Sequence, residues 1–282
     1  LRKSAVSVTG SVLSSFPGYA NADDVLPTTT ISCGGNFDGL LDLPRITPGC
    51  VRLYLCRHGQ TENNRLHLVQ GARVDPSINN NGVEQATRLG MSISRLAEAN
   101  GGDVGKDAIP TLVAHSRMRR ARETAQALTY SATSASLKVI GIETSLGEVD
   151  FGELEGTDAK KARMEMMSTF ASWSIGDIDR RLSGGESGRE VLERAITALE
   201  KLSHTAATST SSSSMLAVSH STYLKVLLSL INDTPLAQSA FWKIQNGSIN
   251  VVDVNINGKT REVTFKSGIF GGGRGLGLLP RG

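Results

Sequence analysis

The chain has 282 residues, enough for one large domain or two small ones with a sizeable core. Hydrophobic residues make up 39% and charged residues 20%, a globular balance, and a net charge of +3 is too small to argue for a nucleic-acid partner. No apolar run reaches the roughly 18 residues of a membrane span, and Cys33, Cys50 and Cys56 match neither a zinc site nor a disulfide framework.

Residues 1–50 are rich in Gly, Pro, Ser and Thr without a sustained period, and they read as a flexible tail. Arg2 and Lys3 precede a stretch with no acid before Asp23, and Ala20-Asn21-Ala22 fits a small-x-small cleavage site. Two readings stay open there. One is the remnant of a targeting peptide, on a chain that begins at Leu1 rather than Met, with an organellar location. The other is a disordered N-terminus on a cytoplasmic protein. On either reading residues 1–45 are expected to be dispensable for catalysis.

The pattern then alternates. Val51–Cys56 reads as a strand. Asn79–Ala97 reads as a helix, with Val83, Ala86, Leu89, Ile93 and Leu96 at helical spacing and Asn79 as N-cap. Strand Thr111–Ala114, helix Arg117–Tyr130 and a weaker strand Leu137–Ile142 follow. Helix Glu186–His204, strand Met215–Ser219 and helix Thr222–Ile231 come next, after which Ser248–Asn255 and Val263–Lys266 read as strands around an Asn257-Gly258 turn. Residues 269–282 form a Gly-rich tail. This order predicts one domain over 51–268: an α/β fold, a three-layer α/β/α sandwich with a mostly parallel central sheet. Active sites in such sheets lie beyond the carboxyl ends of strands. Arg57-His58-Gly59, His115-Ser116 and Ser219-His220 each follow a predicted strand.

The segment RHGQTENN (57–64) carries the strongest chemical signal. A neutral imidazole is a good nucleophile near neutral pH, an arginine fork holds two phosphoryl oxygens, and glycine admits close backbone approach. Taken alone, these three residues fit a strand-end turn with incidental polar groups equally well. Competing machinery is missing: Gly101–Lys106 fails as a phosphate loop, no cysteine has the arginine of a thiolate phosphatase, and Gly185-Glu186-Ser187 lacks the glycine of a serine-hydrolase elbow. No ligand set of metal spacing is present, so neither metal nor cofactor is expected.

Over about residues 51–254 the chain resembles the histidine phosphatase superfamily, in the phosphoglycerate mutase-like branch 1. The R-H-G-[EQ]-[TS]-x-x-N motif is matched by Arg57 through Asn64, and G-x-x-D-P by Gly71 to Pro76 with one extra residue. Ser116, Met118, Arg120, Ala121, Thr124 and Ala125 match S-x-L-x-R-A-x-x-T-A. Leu146, Glu148, Phe151, Gly152, Glu155 and Gly156 match L-x-E-x-x-F-G-x-x-E-G. GGES (184–187) and Ser219-His220 follow in order. The resemblance implies that His58 is the phosphorylated nucleophile and that His220 and Glu148 are catalytic, Glu148 as a proton donor held protonated. It implies that Arg57, Asn64, Arg120 and Ser221 bind the substrate phosphate. Ser221 stands where glycine is usual, and His115 where Ser or Thr is common; each reads as a substrate contact or as a tolerated neighbour. Arg117, Arg119 and Arg122 read as a solvated face, His67 and His204 as surface residues, Trp242 as a packing residue, and Trp173, in the variable region, as a packing residue or a substrate platform.

The implied activity is phosphoryl transfer through phosphohistidine, with a small phosphorylated metabolite as partner and neither nucleic acid nor membrane. Phosphatase action leads, because VDFGELEG resembles the phosphatase branch; mutase-type transfer and a catalytically silent binding protein are the alternatives. His58 should be neutral when it attacks and His220 preferably charged. Recognition of the leaving group is expected from residues 156–185.

Overall fold

The computed structural model describes residues 29–31, 40–231, 236, 242–256 and 265–267. The targeting-like segment, the Asn257-Gly258 turn and the Gly-rich tail lie outside the described residues.

The sheet holds β1 (Thr29–Ile31), β2 (Cys50–Arg57), β3 (Leu112–His115), β4 (Lys138–Ile142), β5 (Ser214–Ser219), β6 (Ile249–Asn255) and β7 (Phe265–Ser267). Its order is β1-β6-β2-β5-β3-β4, with β7 also on β6. The strands β2, β5, β3 and β4 run parallel. Strand β6 is antiparallel to β2, and β1 and β7 are antiparallel to β6. The central strands β2 and β5 are buried on both faces because both are covered, which is why they lack the polar–apolar alternation of a half-exposed strand.

Helices α2 (Asn80–Glu98) and α3 (Arg119–Ser131) cover one face, packing Leu89, Ile93, Ala121 and Leu128 on Tyr54 and Cys56. Helices α4 (Ala159–Ser174), α5 (Gly188–Thr208) and α6 (Ser221–Ile231) cover the other, packing Phe170, Val191 and Leu224 on Leu53 and Leu55. Each fully buried leucine contributes about 1.5–3 kcal/mol. Asn79 caps α2 through the Gly82 N–H, and a reciprocal pair of bonds between Ser187 and Glu190 opens α5. Arg52 and Asp253 face each other across β2 and β6 as a buried two-pronged ion pair at 2.6 and 2.7 Å.

Two expectations are corrected. The described parts of the N-terminal tail, residues 29–31 and 40–50, are part of the domain. Leu40, Leu43 and Ile46 are buried against Tyr54 and Val104, and the Pro44 carbonyl accepts from Arg52 Nη2 at 2.8 Å. Helix α4 occupies a region to which the sequence reading gave no element. Trp173 on α4 is 2% exposed and donates from Nε1 to the Arg180 carbonyl, so it is a packing residue.

Candidate active site

Parallel pairing sets the carboxyl ends of β2, β5 and β3 side by side. The His58 N–H donates to the Ser219 carbonyl at 3.0 Å, and the Ser116 N–H to the Val218 carbonyl at 3.0 Å. The three motifs at those ends therefore meet. The rings of His58 and His220 lie 5.1 Å apart, tilted by 55°. Both histidines are buried.

Nδ1 of His58 bonds the Gly59 carbonyl at 2.7 Å. A carbonyl only accepts, so Nδ1 carries the hydrogen and Nε2 holds the lone pair. Burial first, then the Arg120 and Arg57 guanidiniums, holds the His58 pKa well below the usual 6.5. The ring is held neutral, with its lone pair on Nε2.

Gly59 has a reason other than ligand approach. A Cβ on it would run into the Gly82 carbonyl of the first turn of α2, and a Cβ on Gly82 would run into the Gln60 carbonyl. The Gly59 N–H donates to Thr124 Oγ1 at 2.9 Å, which ties the loop to α3 as well.

Two arginines flank His58. Arg57 donates from Nη1 to the Ile244 carbonyl at 2.6 Å, and burial brings its pKa down to about 10, against the pull of Glu148. Arg120, fully buried, donates from Nη1 to the Val74 carbonyl at 2.9 Å and to Asp75 Oδ1 at 3.2 Å, and from Nη2 to the Gly71 carbonyl at 2.9 Å. Burial lowers its pKa too. Nε of Arg57 and Nε of Arg120 are buried without a partner, and so is Nδ1 of His220. An unmet buried donor costs about 1–3 kcal/mol, and more when charged, so each of these groups favours an acceptor that would meet it.

The charge expected on His220 is one that a bound phosphate would favour. Burial, then Arg120, His58, Arg194 and Arg57, holds its pKa well below 6.5. A neutral ring still serves. Ser116 Oγ accepts the Met118 N–H at 3.2 Å and lies 2.6 Å from His220 Nε2. With the hydroxyl donating to Nε2, the hydrogen sits on Nδ1, which is buried without a partner.

Glu148 is buried beside the start of α6. Oε1 accepts the N–H groups of Val149 at 2.9 Å and Tyr223 at 2.8 Å, and Oε2 accepts that of Thr222 at 3.2 Å. The carboxylate thus satisfies otherwise orphaned N–H groups of α6. Oε2 has one N–H donor and Oε1 two.

Asn64 Oδ1 accepts the Thr61 N–H at 3.2 Å and Asn246 Nδ2 at 2.9 Å, which fixes its amide with the donor end free. Ser221 opens α6 and, with Arg57, Gln60 and Trp242, lines a cleft of about 480 Å³. Trp242 is therefore a cleft residue and not only a packing residue. His115 is buried, with Nδ1 on the Ser116 carbonyl at 2.8 Å, behind the hydroxyl that meets His220. Arg117, Arg119 and Arg122 are exposed, as are His67 and His204. Among the described residues no cluster of metal-ligating side chains occurs, and no helix is long and apolar enough to cross a membrane.

Sequence reasoning missed the scaffold around Glu148. Arg194 donates from Nη1 to the Ser145 and Gly147 carbonyls at 3.1 and 2.6 Å, pairs with Glu186 at 2.8 Å and lies 4.7 Å above the Tyr223 ring. Glu186 in turn accepts the Asp150 N–H at 2.8 Å. The GGES segment thus fixes the loop that carries Glu148. Lys225, one turn beyond Ser221 on α6, was also missed; burial, then Arg57, pushes its amine down to about 8.

Among solved structures, a mycobacterial glucosyl-3-phosphoglycerate phosphatase shares the fold with a TM-score of 0.61 and 21% identity, over 78% of this chain and 98% of that one. Two curated relatives are named 2,3-bisphosphoglycerate-dependent phosphoglycerate mutase. The one from Parvibaculum lavamentivorans is 29% identical over 149 residues, 53% of this chain and 65% of that protein. The one from Azorhizobium caulinodans is 31% identical over 144 residues, 51% of this chain and 64% of that protein. The chain spans just under two thirds of the length of these two relatives. The family pattern of the histidine phosphatase superfamily (branch 1) matches residues 53–265, and the chain belongs to that superfamily.

Proposed function

We propose that this chain transfers phosphoryl groups through a phosphohistidine at His58 and acts as a phosphatase on a small phosphomonoester. The observation that carries the reading is that Arg57 Nε, Arg120 Nε and His220 Nδ1 are all buried without partners, on residues whose charges or ring neighbour a neutral His58 with its lone pair on Nε2. A phosphoryl group brings three equatorial oxygens to three waiting donors.

In the first step the substrate phosphate sits among Arg57, Arg120 and His220, with Asn64 and Ser221 as further hydrogen-bond donors. His58 Nε2 attacks phosphorus, the P–N bond forms, and the P–O bond to the leaving group breaks. Glu148 gives its proton to the departing alkoxide. In the second step Glu148 takes a proton from water, the oxygen attacks phosphorus, and the P–N bond breaks. The free enzyme and inorganic phosphate result.

A mutase is the second reading, favoured by the names of the two curated relatives. There the phosphohistidine returns its group to the bound alcohol instead of to water. One experiment separates the two. A panel of phosphomonoesters is assayed for phosphate release, and 3-phosphoglycerate for isomerisation, each with and without 2,3-bisphosphoglycerate. Release from one or more monoesters without the bisphosphate supports the phosphatase. Isomerisation without net release makes the chain a mutase. No turnover and no phosphoenzyme from any substrate overturns both.

A further inference from the structure

We propose that Glu155 is a positioning residue for the phosphoryl clamp: its carboxylate shapes the 71–75 loop so that the loop aims Arg120. This role rests on the phosphoryl-transfer reading above.

The loop lies between the two side chains. On one side its N–H groups converge on Glu155 Oε2: Gly71 at 3.1 Å, Arg73 at 2.9 Å and Val74 at 2.8 Å. Oε1 accepts a fourth N–H, from Phe151, at 3.2 Å. Such a concavity of N–H groups favours an anion, whose hydrogen bonds are stronger than those of a neutral acceptor. On the other side the carbonyls of Gly71 and Val74 point at Arg120 and accept from Nη2 and Nη1, both at 2.9 Å. Asp75 completes the grip, with Oδ1 on Arg120 Nη1 at 3.2 Å and Oδ2 accepting the Arg119 N–H at 2.7 Å. With Nη1 and Nη2 taken up by the loop, the guanidinium edge that includes the unpartnered Nε is what Arg120 has left for a phosphoryl oxygen. Glu155 thus sets the direction of Arg120 without touching the substrate.

Two further observations agree. A Cβ on Gly71 would run into the Glu155 carboxylate and the Val149 carbonyl, so the close approach of loop and carboxylate requires glycine there. Glu155, with Glu148 and Asp75, also counters the cost of burying the charge on Arg120. Replacing Glu155 by glutamine keeps its shape but turns one acceptor into a donor facing N–H groups. With the amide oxygen turned to the Gly71, Arg73 and Val74 N–H groups, the amide nitrogen faces the Phe151 N–H and the charge is gone, so the hold on the loop and on its carbonyls at Arg120 weakens.

The test is a double-mutant cycle on the full chain, with orthovanadate as the probe of the clamp. Glu155→Gln and Arg120→Ala are each expected to weaken vanadate binding by about ten-fold or more, and the double variant to bind no worse than Arg120→Ala alone, because coupled residues do not add. Single-turnover phosphorylation should slow in Glu155→Gln by one factor for aryl and alkyl phosphates alike. A residue that only holds the fold together would instead give additive losses. Additive losses, or unchanged vanadate affinity in Glu155→Gln, overturn the proposal. If Glu155→Gln loses its cooperative melt, Glu155→Asp, which keeps the charge one methylene short, takes its place in the same cycle. A wild type that neither binds vanadate nor labels on histidine overturns the phosphoryl-transfer reading and this role with it. Wild-type binding with additive losses overturns the role of Glu155 alone.

Discussion

Nδ1 of His58 is held by the carbonyl of Gly59 at 2.7 Å, and that bond decides which nitrogen can be phosphorylated. A proton fixed on Nδ1 leaves the lone pair on Nε2. The phosphoenzyme should therefore carry its group on Nε2. Rapid quench with a labelled phosphomonoester, followed by phosphorus NMR of the digest, distinguishes the two isomers. The Nδ1 isomer would mean that the ring turns over before it reacts. His58→Ala should lose the label and at least about 10³-fold in turnover.

The two buried histidines make stability fall in mild acid. Both have folded-state pKa values depressed below 6.5. Above the unfolded value neither state is protonated, and nothing is gained or lost. As pH falls below about 6.5 the unfolded chain takes up protons that the folded one refuses. Each histidine then removes about 1.4 kcal/mol of stability per pH unit, until its depressed folded pKa is reached. Urea unfolding at several values between about pH 7 and 5.5 should show this slope. His220→Gln should flatten it by one histidine's share. An unchanged slope in that variant would show that His220 is protonated in the folded protein.

Truncation at the N-terminus should be costly. Leu40 and Leu43 are buried beside Tyr54, and a chain starting near Ile46 lacks both. Leu40→Ala should cost about 2–5 kcal/mol, the usual range for a buried leucine. A shortened chain with an unchanged urea midpoint would show that these side chains contribute nothing.

Most of the frame and the candidate site residues are legible in the sequence, because both are written locally. Apolar runs at β2 and β5, the N-cap Asn79 and the helical spacing from Ala86 to Leu96 depend on near neighbours. The motif residues sit one step beyond strand ends, where this architecture places sites. What stayed hidden depends on contacts between distant segments. Leu40, Leu43 and Ile46 lie in no periodic element, and only the sheet reveals them as core. Helix α4 buries Ala162, Phe170 and Trp173, but Met164 and Met167 sit on its outward side and blur the pattern. Arg52 and Asp253 are 201 positions apart. Glu155 takes its N–H donors from a loop more than 80 positions earlier, so its motif place gives no hint of its task.

The proton donor and the phosphoryl clamp should separate by leaving group. Glu148→Gln keeps the shape but cannot donate a proton from a carboxyl. A sugar or alkyl alkoxide needs that proton, so phosphorylation of His58 by such a substrate should slow by about 10²–10⁴-fold. An aryl phosphate departs with little help and should lose far less in the same step. Arg120→Ala removes stabilisation of phosphoryl oxygens that every substrate shares, so both should slow by similar factors. The rates must come from single turnovers, because hydrolysis of the phosphohistidine also calls on Glu148 and would mask the difference. Oε1 of Glu148 is occupied by the Val149 and Tyr223 N–H groups, and the amide oxygen of glutamine can take that place, so the loop should keep its position. Equal slowing of aryl and alkyl substrates in Glu148→Gln would remove Glu148 as the donor. Asp150 and Glu153 would come next, and of these Asp150 is already engaged by Arg73 at 2.9 Å, which leaves Glu153.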